Sequence, residues 1–271
     1  MESDYKDIVP AYFVSPDGVR TTSEIVACEV AVRISFHDVY FDVISCTPQD
    51  LEDFAYGVAF SLGAIGCAAD VDSCEIIATG KGIDIDICLR KGCCVPTEAL
   101  KRCPVSGLQR QQRDVVLHPL QEGCEVQPVE LSGVFGAEAI WRASSTLLSL
   151  QGMHRATGAT HAAVFVDKTG TYRYLREDIG RHCAVDKLIG ALVRDGVDPR
   201  EGFVYLSSRC ALDLVVKCAR YGIGLVATVS APTTAVLQFA QQANVTLCAF
   251  ARGDHFTVYT HPERLQGVLA S

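Results

Sequence analysis

Between Thr157 and Lys187 the chain gathers His161, Glu177, Asp178, Arg181, His182, Asp186 and Lys187 into one short stretch, read as T-G-A-T-H and then E-D-I-G-R-H-C-A-V-D-K. Val185, Leu188, Ile189 and Leu192 follow at helical spacing. The pattern predicts a strand, a turn, a second strand and then a helix that begins near Arg181 and buries its apolar stripe. The amino end of such a helix offers unpaired N–H groups and the positive end of the helix dipole, and Arg181 and His182 add charge there. This chemistry suits a phosphate or carboxylate. The same residue types also suit an ordinary helix cap with solvated charges, and both readings stay open at this level.

A second chemistry is suggested by sulfur. Thirteen cysteines is a high and odd count. In a chain with no export signal thiols are expected to stay reduced, so Cys28, Cys46, Cys88, Cys218 and Cys248, set among apolar neighbours, read as small buried hydrophobes. Cys67 and Cys74 flank a turn. Cys93, Cys94 and Cys103 instead lie in a polar stretch broken by Gly and Pro. Cys103 follows Lys101 and Arg102, whose charge favours the reactive thiolate, and Gly107 leaves the segment free to bend. A thiolate on a mobile basic loop can accept a sulfane sulfur as a persulfide and hand it on; an incidental surface cysteine fits the residues too. No zinc site is expected, because these cysteines lack the paired spacing of structural zinc, and His161 is followed by Ala-Ala-Val rather than the H-x-E of a zinc deaminase. Neither a Walker loop nor G-x-G-x-x-G follows a strand.

The elements that must position these groups can be read from a chain of 271 residues that is 49% apolar, ample for a core, with a net charge of -8. Scattered basic residues argue against nucleic acid as a partner. The acidic start M-E-S-D-Y-K-D does not resemble a signal peptide, and no apolar run reaches the roughly 20 residues that span a bilayer. A cytoplasmic protein with no membrane attachment is expected. Residues 1–20 read as a loosely held end, broken by Pro10, Pro16 and Gly18. A hairpin turning at His37–Asp38 follows, then a helix with Thr47 as its cap and Pro48 in its first turn, then a second hairpin turning at Gly80–Gly82. After an irregular stretch, Ala137–Gln151 reads as a helix. Three short apolar strands, Phe203–Ser207, Leu225–Ser230 and Val245–Phe250, then alternate with helices, which implies parallel crossovers. Ligands gather at the carboxyl ends of such strands. Here these ends carry Ser207, Ser208 and Arg209, then Ser230, Ala231 and Pro232, then Phe250, Ala251, Arg252, Gly253, Asp254 and His255.

T-G-A-T-H-A-A, R-E-D-I-G-R-H-C-A-V-D-K-L-I-G, L-S-S-R-C-A-L-D-L-V-V-K-C-A, T-V-S-A-P-T-T-A-V and F-A-R-G-D-H-F-T-V-Y-T-H, in this order, resemble the consecutive motifs of the formate dehydrogenase accessory sulfurtransferases, the FdhD family. The resemblance runs from about Glu29 to about Leu265. It implies an α+β protein: a small α+β unit over residues 20–134, including a mobile cysteine loop at about 90–125, and a larger α/β/α domain over residues 135–271, similar to cytidine deaminase, with a largely parallel sheet. It implies transfer of persulfide sulfur from a cysteine desulfurase to the molybdenum cofactor, bis-molybdopterin guanine dinucleotide, on behalf of formate dehydrogenase, by a homodimer.

Carried over by motif, the persulfide cysteine of the family's C-x-x-C-G loop corresponds to Cys103, and Phe250 to His255 correspond to its cofactor-binding segment, for which GDP would serve as a mimic. His161, Glu177, Asp178, Arg181, His182, Asp186, Ser207, Ser208 and Arg209 complete the candidate pocket. The second loop cysteine is Ser106 here, so a resolving thiol would have to come from Cys93 or Cys94. That departure keeps two alternatives in view, a cofactor chaperone and a plain guanine-nucleotide-binding module, neither of which transfers sulfur. Cys183 stands where the family often has Asn.

Overall fold

The computed structural model describes residues 5–95, 126–130 and 134–268; Cys103 and its neighbours lie outside them. The chain opens with a hairpin of β1 (Lys6–Ser15) and β2 (Gly18–Ala27). The expected loose end is thereby corrected. Pro16 and Asp17 break the pattern because they form the turn, while Pro10 is tolerated because both strands of a two-stranded ribbon are edges.

A four-stranded sheet follows, built from β3 (Val30–Phe36), β4 (Val39–Cys46), β5 (Val71–Thr79) and β6 (Gly82–Leu89) in the order β4-β3-β6-β5. Strict alternation in β3 and β6 buries Val32, Ile34, Ile85 and Ile87 on one face, and Arg33 pairs with Asp84 on the other. Helix α1 (Leu51–Ser61) covers the buried face through Phe54, Ala55 and Val58. It begins later than Thr47–Pro48 predicts, behind Asp50 in the left-handed conformation. Thr47 is occupied elsewhere: its N–H and hydroxyl both donate to Asp178, and its carbonyl accepts from Lys187.

The larger sheet has six strands in the order β13-β12-β11-β10-β8-β9. These are β8 (His161–Asp167), β9 (Tyr172–Asp178), β10 (Gly202–Leu206), β11 (Leu225–Thr228), β12 (Thr246–Arg252) and β13 (His255–Val258). A short parallel pair, β7 (Phe135–Gly136) with β14 (Leu265–Gln266), lies beside it. The sheet is mixed, which corrects the expectation of a largely parallel one. Only β10–β11 and β11–β12 are parallel; β8–β9, β8–β10 and β12–β13 are antiparallel. The short links after β8 and β12 allow hairpins but no crossover. Helices α2 (Ala137–Leu150) and α3 (Gly152–Thr157) lie on one face; α4 (Arg181–Asp195), α5 (Leu212–Tyr221) and α6 (Thr234–Gln242) lie on the other. In β10, Phe203 and Tyr205 pack toward α2 while Val204 and Leu206 pack toward α4 and α5, so the strand is buried on both sides.

The two sheets are joined where α1 crosses α4. A Cβ on Gly57 would lie 1.8 Å from the Asp186 carbonyl oxygen, and one on Gly190 would lie 1.7 Å from that of Asp53. Backbone therefore meets backbone, and one continuous apolar cluster runs from the four-stranded sheet through α1 and α4 to the larger sheet. Among the described residues no helix is long and apolar enough to cross a membrane.

Candidate functional site

The parallel strands β10, β11 and β12 end on the same edge of the sheet, and β8, antiparallel to β10, begins there at His161. Together with the end of α2 and with α3 they enclose a cavity of about 500 Å³. That is the size range of small-ligand sites, about 300–1,000 Å³. Of the residues expected from sequence, His161, Ser207, Ala251, Arg252 and Gly253 line it.

The β12 end is shaped by an irregularity between Ala249 and Arg252, where Phe250 takes φ 53° and Gly253 φ 59°. The left-handed Phe250 turns its own ring outward, 40% exposed, and lets Ala251 face inward, fully buried. A bulky residue in that conformation is strained, and such strain collects at sites where the surrounding structure fixes it. The fixing contacts are visible. The Tyr205 hydroxyl donates to the Ala251 carbonyl at 2.7 Å, the Arg252 Nε to the Val229 carbonyl at 2.8 Å, and Ser144 on α2 reaches the Gly253 carbonyl at 2.8 Å. Asp254 on the exposed turn beyond and His255 at the start of β13 are paired with each other rather than lining the cavity.

At the β8 side the ring of His161 is half-buried. Burial, and then the nearby charges of Arg181, His154 and Arg209, hold it below the usual histidine range, toward the neutral form. The two arginines make this side of the site electropositive, and the Arg181 Nε is buried without a hydrogen-bond partner among the described residues. Ser207 Oγ accepts from the Ala162 N–H at 2.7 Å, which leaves its hydroxyl hydrogen free to donate. His154 Nδ1 lies 2.8 Å from the Thr160 carbonyl. Only a protonated nitrogen can bond there, so in the neutral ring Nε2 is the acceptor.

The remaining ionisable residues of the central stretch serve the frame. Glu177 accepts from the N–H groups of Met153 and His154, both at 2.9 Å, and from the Thr160 hydroxyl at 3.0 Å, so it caps α3 and fixes one wall of the cavity. Asp178, with no exposed surface, pairs with Lys187 at 2.6 Å. Asp186, equally buried, pairs with Lys217 at 2.6 Å and accepts from Ser61 at 2.8 Å. Neither carboxylate is open to a ligand. His182, behind Arg181, pairs with Asp213; burial pushes the Asp213 carboxyl up, but the hydrogen bond and charge of His182 outweigh it and leave it below the usual range. Ser208 is buried, and its carbonyl takes the Thr228 hydroxyl at 2.7 Å, tying β10 to β11.

Cys183 is buried against Gly180, where a Cβ would meet its sulfur at 3.2 Å, and burial raises its thiol well above the ordinary value. It is a space-filling residue under a glycine. The Cys93 thiol is also raised, by burial and by the charge of Asp70, which disfavours a thiolate there. Gln151, His154, Thr160 and Tyr205 line the cavity without having been expected from sequence. The polar residues of S-L-Q-G-M-H at the end of an apolar helix, two residues before T-G-A-T-H, were the available sign.

The chain is similar to other proteins over most of its length. The family model described as FdhD/NarQ family matches residues 27–266. A protein of Bordetella petrii named Sulfur carrier protein FdhD is 36% identical over 256 residues, covering 92% of this chain and 89% of the relative. Its namesake in Bordetella bronchiseptica is 38% identical over 253 residues, covering 90% and 88%. A crystal structure from Desulfotalea psychrophila, bearing the name formate dehydrogenase accessory protein, superposes with a TM-score of 0.76 at 24% identity, over 97% of this chain and 100% of the other, and so shares its fold. The matched residues take in both sheets, the α1–α4 crossing and the whole cavity lining, and on that extent the chain belongs to the FdhD/NarQ family.

Proposed function

We propose that this protein is a sulfur carrier that prepares the molybdenum cofactor of formate dehydrogenase. The observation that carries the reading is the cavity at the carboxyl ends of β10, β11 and β12, with Arg252 on one side and Arg181 and Arg209 about His161 on the other, in a chain whose relatives are named sulfur carriers. Apolar walls between two cationic sides suit one guanine nucleotide of bis-molybdopterin guanine dinucleotide, which is bound as substrate. Cys103 then takes the sulfur. Its thiolate attacks the outer sulfur of a desulfurase persulfide, the desulfurase thiolate leaves, and Cys103 carries the persulfide to the cofactor. On this reading the protein works in the cytoplasm as a homodimer, each protomer holding one nucleotide, with the larger sheet in a cytidine-deaminase-like layering.

Ser106 favours a second reading, since it removes the second thiol of the family's loop. The protein would then hold the cofactor as a chaperone, or bind guanine nucleotides, without transferring sulfur. Incubation with a cysteine desulfurase and cysteine, followed by peptide mass spectrometry, separates the two. One added sulfur on the Cys103 peptide, absent in Cys103→Ser, is the expected result. An unmodified Cys103 beside a loaded desulfurase would overturn sulfur relay and leave the chaperone.

A further inference from the structure

We infer that Gln151 determines specificity in this cavity by donating a hydrogen bond from Nε2 to an acceptor atom on the base of a bound guanine nucleotide. The inference rests on the nucleotide reading above and assigns a residue to it. Gln151 joins α2 to α3, and its backbone is fully engaged: its N–H donates to the Leu147 carbonyl at 3.1 Å and its carbonyl accepts from Arg155 at 3.0 Å. The backbone is thus fixed where the residue lines the cavity, and the residue is only 3% exposed. Yet Nε2 has no hydrogen-bond partner among the described residues. A buried amide donor left unpaired is a cost to the free protein, and such an exception in a native structure points to a partner that arrives with the ligand.

The chemistry of the neighbours says which part of the ligand that is. Leu147, Leu148, Val229 and Tyr205 give this cavity apolar walls, and the amide is neutral. A phosphate gains little from such surroundings and is better served by Arg252 or by Arg181 and Arg209. A planar base carrying a carbonyl oxygen or ring nitrogen fits the apolar surfaces and satisfies the amide at once, the usual economy of small-molecule sites with few placed polar groups.

The decisive variant is Gln151→Met, which keeps the shape and removes the donor. Calorimetry with GDP should show affinity lowered about tenfold, the worth of one hydrogen bond. The ligand-free variant should melt no lower than the wild type, because an unpaired donor has been removed. In 15N spectra of the wild type, the side-chain amide signal that Gln151→Met lacks should move on addition of GDP and stay in place with inorganic pyrophosphate. Equal GDP affinity in both proteins, or an amide signal that moves as far with pyrophosphate, overturns the base contact while leaving the nucleotide site standing. No heat with GDP in the wild type overturns the nucleotide reading itself. Should Gln151→Met fail to fold, Gln151→Asn, which withdraws the amide by one methylene, must show the same loss of GDP affinity for the inference to hold.

Discussion

His161 shows how one residue can belong both to the frame and to the site. As a member of β8 it is held by the ladder, while its ring meets the cavity beside Arg181 and Arg209. Burial and those charges depress its folded pKa, so on acidification the unfolded chain takes up the proton first. The stability that this residue contributes is complete above the free value of about 6.5 and is lost as pH falls through the lower folded value. Thermal unfolding at about pH 8 and about pH 5.5 should therefore show a larger drop in the wild type than in His161→Gln. Equal drops would mean that the ring is not held neutral. Asp178 and Asp186 illustrate the opposite outcome for the same kind of sequence signal. Both were drawn into the candidate pocket by the density of charges around them, yet both are consumed by Lys187 and Lys217 in pairs with almost no exposed surface. Partners such as Thr47 and Ser61 come from a distant part of the chain, and no local pattern announces them.

Among the elements, those with unmistakable periodicity were legible: the alternation of β3 and β6, the helix from Arg181, and the apolar strands β10 to β12 whose ends pointed to the cavity. Those that depend on tertiary pairing were not. The β1–β2 ribbon carries the same breakers as a loose end, and the antiparallel placement of β8 against β10 is fixed by packing rather than by any residue pattern. Likewise the α1–α4 crossing leaves only two isolated glycines in the sequence, though it fixes how the sheets join. Gly57→Ala should test it: the new Cβ would fall 1.8 Å from the Asp186 carbonyl oxygen, a distance that only separation of the two backbones can relieve. Overpacking of cores costs roughly 1–3 kcal/mol, and a clash with backbone belongs at or above the upper end. Urea unfolding should show a loss of about 3 kcal/mol. A loss within error of zero would mean that the helices are not in backbone contact.

For the molecule as a whole, the shared core makes a claim about cooperativity that the cysteines can report. Cys46 ends β4 in the small sheet, Cys218 lies on α5, and Cys248 lies in β12 among the residues packed toward α2; all three are buried. Burial pushes the thiols of Cys46 and Cys218 up to about 12 and that of Cys248 higher still, so in the native state they should resist alkylation at neutral pH. Exposed Cys67 and Cys94 should react at once and serve as internal controls. If the small sheet stood on its own, Cys46 would become reactive in an early local opening. The backbone contact of α1 with α4 and the unbroken apolar cluster across it argue otherwise: the small sheet cannot leave without exposing the α4 side of the larger one. Pulsed alkylation across a urea series, read peptide by peptide, should therefore show Cys46, Cys218 and Cys248 becoming reactive at one common midpoint. A lower midpoint for Cys46 alone would show that the two sheets unfold as separate units and that the α1–α4 crossing is a contact between domains rather than the centre of one core.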